Sequence, residues 1–127
     1  MRLFLVRHAK AAPGRPDELR PLTDQGRRVA RALGERLKPE HPQAVLSSPL
    51  LRARETAEAI ARAAGVAPET DERLSPGADA NALRAVVEGR GDPVVVVGHQ
   101  PDCSEIVFAL TGRVAEFAPG AMHMVEL

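Results

Sequence analysis

The sequence has 127 residues, 44% of them hydrophobic, and its 17 Lys and Arg balance its 17 Asp and Glu. A chain of this length folds around one core without a second domain, and zero formal net charge gives no global field for recruiting nucleic acid or an anionic membrane. With no Trp or Tyr, three Phe and one Cys, it offers little for base stacking, no intrachain disulfide and no multi-cysteine metal site.

Leu3 to Val6 is an apolar run of the kind that forms a strand covered on both faces. It ends in Arg7 and His8, at the carboxyl end of the strand, where ligands bind in open α/β sheets. Lys10 to Pro21 is a polar loop with prolines at Pro13, Pro16 and Pro21. Thr23 or Asp24 caps a helix to about Lys38, with Val29, Leu33 and Leu37 on one face, and Pro39 stops it. Gln43 to Ser47 reads as a second strand, and Ser48-Pro49 as a cap followed by a first-turn proline. The helix from Leu50 to Ala64 turns Leu50, Ala53, Ala57, Ile60, Ala61 and Ala64 inward and sets Arg54, Glu58 and Arg62 on a solvated face. Arg52 lies in its first turn, beside the strand end, and Gly65 closes it.

Val66 to Asp71 is a short third strand, and Glu72 to Gly77 a loop. Asp79 or Asn81 caps a third helix with Leu83, Val86 and Val87 inward, ended by Gly89 and Gly91. Pro93 to Val97 is β-branched and too apolar for a wet face, and it leads into Gly98-His99-Gln100-Pro101. A fourth helix over Asp102 to Leu110 buries Ile106, Val107 and Leu110, Gly112 terminates it, and Ala121 to Leu127 forms a last strand. Strands alternating with helices predict a single domain over residues 1–127, a three-layer α/β/α sandwich with a mainly parallel central sheet.

Two strands of the same buried type thus end alike, in Arg7-His8 and in Gly98-His99. In a parallel sheet both ends emerge on one edge, where Arg52 also starts its helix. The predicted cluster of His8, His99, Arg7 and Arg52 contains no carboxylate. Guanidiniums match phosphate oxygens bidentately, and phosphoryl transfer is catalysed mainly by positioning and charge neutralisation. Zinc would want a third protein ligand and would be repelled by two arginines. Ser47 and Ser48 are not in a nucleophile-elbow context. His8 can attack through one ring nitrogen when it is neutral and its other nitrogen is held by a hydrogen bond, and guanidiniums nearby depress an imidazole pKa.

Arg7-His8-Ala9 after an apolar strand resembles the Arg-His-Gly signature of the histidine phosphatase superfamily, to which the cofactor-dependent phosphoglycerate mutases also belong. Arg20-Pro21-Leu22-Thr23-Asp24-Gln25-Gly26, Ser47-Ser48-Pro49-Leu50-Leu51-Arg52-Ala53 with Thr56-Ala57, Leu74-Ser75-Pro76-Gly77-Ala78-Asp79 and Val97-Gly98-His99-Gln100-Pro101 resemble blocks of its short SixA-like branch, the phosphohistidine phosphatases. The likeness spans nearly the whole chain, in the family's order. It implies that His8 becomes transiently phosphorylated, that Arg7, Arg52 and His99 hold the phosphoryl group, that water then releases it, and that no metal or other cofactor takes part. Arg20 is a candidate substrate-binding residue, its alternative being an ion pair with Asp17 or Glu18.

Two positions depart from the family pattern. Ala9 stands where the family has glycine, and Ser75-Pro76 where larger members carry a glutamate. Asp79 is the nearest substitute acid, with helix capping as its other reading. The lack of a strong acid suits an easily departing leaving group, such as the imidazole of phosphohistidine. His41 and His123 are not read as catalytic, and Cys103 is read as a small core residue.

The expected function is a metal-independent phosphatase acting through a phosphohistidine on His8. Short connections leave an open mouth, which suits a phosphohistidine on a protein signalling domain. The alternatives are a broad-specificity phosphomonoesterase for small phosphate esters and a non-catalytic phosphate- or phosphopeptide-binding module, against which the intact His8 speaks. No nucleic-acid or membrane partner is expected. The N-terminal apolar run is too short for a signal-peptide core, and no stretch approaches the roughly 20 apolar residues of a membrane span, so a cytoplasmic location is expected.

Overall fold

Four successive valines leave no polar face, so the strand they form must be covered from both sides. The computed structural model describes residues 1–127. Its elements follow as β1 (Arg2–Arg7), α1 (Asp24–Leu37), β2 (Ala44–Ser47), α2 (Leu51–Ala64), β3 (Pro68–Thr70), α3 (Ala80–Val87), β4 (Val94–Gly98), α4 (Asp102–Thr111) and β5 (Met122–Glu126). The five strands form one sheet in the order β3-β2-β4-β1-β5, so the valine strand lies at its centre. β1, β2 and β3 join it in parallel, and β5 alone runs antiparallel, beside β1. This is the mainly parallel α/β/α sandwich expected from the alternation of elements.

Alternate strand residues serve opposite layers, as the pleat requires. Leu3, Leu5, Leu46, Val94 and Val96 pack with Leu83, Val86 and Val87 of α3 and Ile106 and Val107 of α4. Phe4, Val6, Val45, Val95 and Val97 pack with Leu33 and Leu37 of α1 and with Ala53, Ala57, Ile60 and Ala61 of α2. Burying one such Val or Leu side chain contributes about 1.5–3 kcal/mol, so the unbroken apolar runs of β1 and β4 hold the sheet between its two helical layers. β3, by contrast, is a short edge strand with every residue exposed.

The caps follow the chemistry of their residues. Thr23 accepts a hydrogen bond from Gly26 N, and Asp79 accepts one from Ala82 N, so Thr23 and Asp79 are the caps of α1 and α3. Ser48-Pro49 does not cap α2 as its sequence suggests. The helix begins at Leu51, the preceding Leu50 contributes no side-chain cap, and Ser48 Oγ accepts a bond from Leu50 N at 3.2 Å while facing the next strand over.

The topology also sets where a crevice opens. After β1 the chain passes to α1 on one face of the sheet, and after the neighbouring β4 it passes to α4 on the other. Adjacent parallel strands whose following helices part in this way leave a cleft at their carboxyl ends.

Between β1 and α1 the chain makes its longest excursion toward that cleft, and its base is tied by Ala12 N to Pro21 O at 2.8 Å and Thr23 N to Lys10 O at 2.9 Å. Gly26 closes the same joint, because a Cβ there would lie 2.2 Å from Lys10 O. Alanine normally gains about 1 kcal/mol over glycine inside a helix. The backbone overlap outweighs that gain, and Gly26→Ala is expected to destabilise the protein by about 1–3 kcal/mol in urea unfolding. A variant as stable as the wild type would refute the close approach.

Candidate active site

Register brings the two imidazoles together. Arg7 pairs with Gly98 across β1 and β4, and His8 N donates to Gly98 O at 3.0 Å, so His8 and His99 leave adjacent strands at the same level. Their rings lie 5.3 Å apart between centroids, tilted by 59°. Ser47 of β2 pairs with Val97, and Ser48 N donates to Val97 O at 3.1 Å. Ser48 is therefore the third residue along this edge.

Hydrogen bonds fix the chemical state of both rings. His8 Nδ1 lies 2.8 Å from Ala9 O, and because a carbonyl only accepts, that nitrogen carries the proton and Nε2 keeps its lone pair. Ala9 is itself held, donating to Thr56 Oγ1 at 3.1 Å, while Thr56 donates back to Arg52 O at 2.8 Å. Its methyl is buried with Leu22 and Ala30, which accounts for the fit of alanine where the family has glycine.

His99 Nε2 lies 2.8 Å from Ser48 Oγ. The buried hydroxyl oxygen already accepts from Leu50 N, and its own proton is satisfied by donation to a neutral His99 Nε2. With the hydroxyl as donor, the His99 proton is assigned to Nδ1. Burial keeps both imidazoles neutral. It is the largest cause lowering the His8 pKa, partly opposed by the bond to Ala9 and reinforced by the charges of Arg52, Arg7 and Arg20. For His99, burial and then the neighbouring His8, Arg52 and Arg7 push the value down to about 4, with Asp17 acting against them.

The guanidiniums are also anchored. Arg7 Nη1 donates to Phe117 O at 2.9 Å, and its buried Nε makes no hydrogen bond. Arg52 is buried in the first turn of α2 and donates from Nη1 to Asp17 O at 3.0 Å and from Nη2 to Asp17 Oδ2 at 3.2 Å. Arg20 reaches the same carboxylate, with Nη1 3.0 Å from Asp17 Oδ1, and its Nε donates to Ala12 O at 2.8 Å. The ion pair with Asp17 is the one of the two readings of Arg20 that appears as a contact, and the Arg20 charge also acts on His8. Asp79 is exposed, and its Oδ1 is committed to the α3 cap at 2.8 Å, so this geometry gives no support to its reading as an acid. Cys103 is buried behind the site, its thiol pushed up to about 12 chiefly by burial.

Three contributors escaped the sequence reading. The sequence pattern marks Ser48 as a cap and Asp17 only as a partner for Arg20, and the Phe117 carbonyl that steadies Arg7 carries no sequence signal at all. The Ser-Ser pair at the end of a buried strand was the available hint for Ser48.

A model of the histidine phosphatase superfamily, branch 1, matches residues 3–76, a stretch that holds His8, Arg7 and Arg52. The chain belongs to the histidine phosphatase superfamily. An uncharacterized protein of Picosynechococcus sp. is 37% identical over 89% of this chain and 77% of its own length. The structure of the protein histidine phosphatase SixA complexed with tungstate superposes with a TM-score of 0.88 at 30% identity, covering all of this chain and 88% of that one. A mycobacterial glucosyl-3-phosphoglycerate phosphatase complexed with VO3 shares the fold, with a TM-score of 0.79 at 21% identity over 98% of this chain and 90% of that one. Family and fold together support a phosphatase, a hydrolase, and the likeness to SixA places the chain among the SixA-like members. No helix is long and apolar enough to cross a membrane.

The neutral imidazoles make stability depend on pH. His99 titrates near 6.5 when unfolded and near 4 when folded, so between those values the unfolded chain binds the proton that the native one excludes. Stability is therefore expected to be fully present above about pH 6.5 and to fall as the pH drops toward 4, with His8 adding in the same direction. Urea midpoints across this range check it, and His99→Gln should flatten the slope. An unchanged slope would show that His99 is not held neutral.

Proposed function

We propose that this protein is a metal-independent phosphatase that removes the phosphoryl group from phosphohistidine on a protein, through a phosphohistidine intermediate on His8. The observation that carries the reading is the bond from His8 Nδ1–H to Ala9 O, which leaves Nε2 unprotonated beside the His99 ring. A neutral, oriented imidazole with a free lone pair is the form that attacks phosphorus.

In the first step Nε2 of His8 bonds to phosphorus, and the bond to the leaving atom breaks with its electron pair. Arg7, Arg52 and the Nδ1–H of His99 meet the charge on the phosphoryl oxygens, and the unpaired buried Nε of Arg7 is a donor available for this. Ser48 acts as a positioning residue by fixing the His99 tautomer. In the second step water attacks the phosphorus, the bond to Nε2 breaks, and neutral His8 returns as inorganic phosphate leaves.

The leaving group decides the substrate class. A phosphohistidine protonated on its second ring nitrogen departs as a neutral imidazole and needs no proton from the enzyme, whereas an alkoxide does. The only acid the sequence offered in the place of the family's glutamate, Asp79, is exposed and caps α3. Two of the connections around the mouth are short, Ser48 to Leu50 and His99 to Pro101, which supports access by a protein past the longer loop between β1 and α1. A signalling domain in the cytoplasm is the partner this suggests.

Two measurements test the reading. His8→Ala should lower kcat/KM by at least about a thousandfold, and brief incubation with a labelled phosphodonor should give an acid-labile, alkali-stable label on His8 in the wild type alone. Retained turnover in His8→Ala would end the mechanism. A phosphohistidine protein should be turned over faster than sugar phosphates at equal concentration, and the reverse order would make the protein a phosphomonoesterase for small metabolites. Phosphate binding without any turnover would make it a non-catalytic module.

A further inference from the structure

One charged group in the cleft has no part in the chemistry above. The loop between β1 and α1 is exposed from Pro13 to Leu19, and Asp17 reaches back from it to Arg52. Asp17 grips two guanidiniums at once, with Oδ2 on Arg52 and Oδ1 on Arg20, and its backbone carbonyl takes a further bond from Arg52. Both terminal nitrogens of Arg52 are thereby engaged, so a phosphoryl oxygen approaching them meets a competing carboxylate. The pair is also asymmetric, since the Arg52 side chain is 10% exposed while that of Asp17 is 62% exposed. Arg52 stays in the cleft whatever happens, and Asp17 can return to water at little cost. A phosphoryl dianion, with more charge and bidentate geometry, forms the stronger partner.

We propose that Asp17 is a specificity-determining residue that stands in for the phosphoryl group on Arg52 in the empty site and must be displaced when a phosphoryl group binds. This rests on the reading of Arg52 as a phosphoryl-binding residue. Charge gives the reason for such a device. Arg7, Arg20 and Arg52 around two neutral imidazoles would otherwise form an uncompensated trication that retains any oxyanion, including the product. With Asp17 in place the cluster is neutralised by one charge, and release of inorganic phosphate is assisted because the carboxylate returns to Arg52 as phosphate leaves. Asp17 thereby lowers affinity for free phosphate and limits product inhibition.

Calorimetric titration with inorganic phosphate at fixed ionic strength tests this on the wild type, Asp17→Asn, Asp17→Ala and Arg52→Gln. Removing the competing carboxylate should tighten phosphate binding by about five- to tenfold in at least one Asp17 variant, and the same variant should show a correspondingly lower inhibition constant for phosphate in turnover. Lost folding or a lost structural contact would weaken binding, so tightening is a result that a merely structural role does not produce. If Arg52→Gln binds phosphate more weakly than the wild type but neither Asp17 variant binds it more tightly, the role of Asp17 is overturned and the pocket stands. If Arg52→Gln binds phosphate as well as the wild type, the assignment of Arg52 fails and the role of Asp17 falls with it.

Discussion

The pairing of β1 with β4 is the constraint from which the site derives. Neither strand is exceptional alone, since each is a short apolar segment ending in a histidine. Set side by side in parallel, with Arg7 level with Gly98, they deliver two imidazoles to one point, and the parting of α1 and α4 to opposite faces keeps that point open. The register is itself over-determined. A slip of one residue would carry Leu3, Leu5, Val94 and Val96 into the layer built for Phe4, Val6, Val95 and Val97, so the hydrophobic core and the relation of His8 to His99 are secured by the same side chains.

Around that pair the protein solves an electrostatic problem chiefly by burial and by backbone carbonyls, with a single exposed carboxylate, Asp17, set on two of the guanidiniums. An imidazole close to guanidiniums loses its proton more readily, but desolvation is the larger influence on both His8 and His99. The arginines are steadied by Phe117 O, Asp17 O and Ala12 O, which orient a guanidinium without cancelling its charge. A buried acid in the same place would have neutralised the cluster and raised the histidine pKa values. The one carboxylate that touches the guanidiniums is largely solvated.

The sequence disclosed most of the skeleton because the skeleton rests on local pattern. The two-sided apolar runs, the proline and glycine stops, and the place of Arg52 in the first turn of α2 lie in stretches of a few residues, and the convergence of His8 with His99 follows once the sheet is parallel. The groups that orient the site were hidden because they act across the fold. Phe117 O meets Arg7 from far along the chain, and Asp17 joins Arg20 and Arg52 only after the loop has closed at Gly26 and Lys10. Ser48 misled for a different reason. Serine before proline ahead of a helical pattern is a sound capping signal, but burial beside His99 offered its hydroxyl a second partner, and the helix starts later, at Leu51.

Cys103 gives the site a further property. It sits directly behind His99, yet its sulfur is 1% exposed at the residue level, faces Val6 O, and holds its proton up to about pH 12. Oxidants react with thiolates that solvent can reach, and here the sole thiol is neither ionised nor accessible, while the nucleophile we propose is a ring nitrogen. The one thiol of the chain is thus closed to peroxide although it lies next to the site.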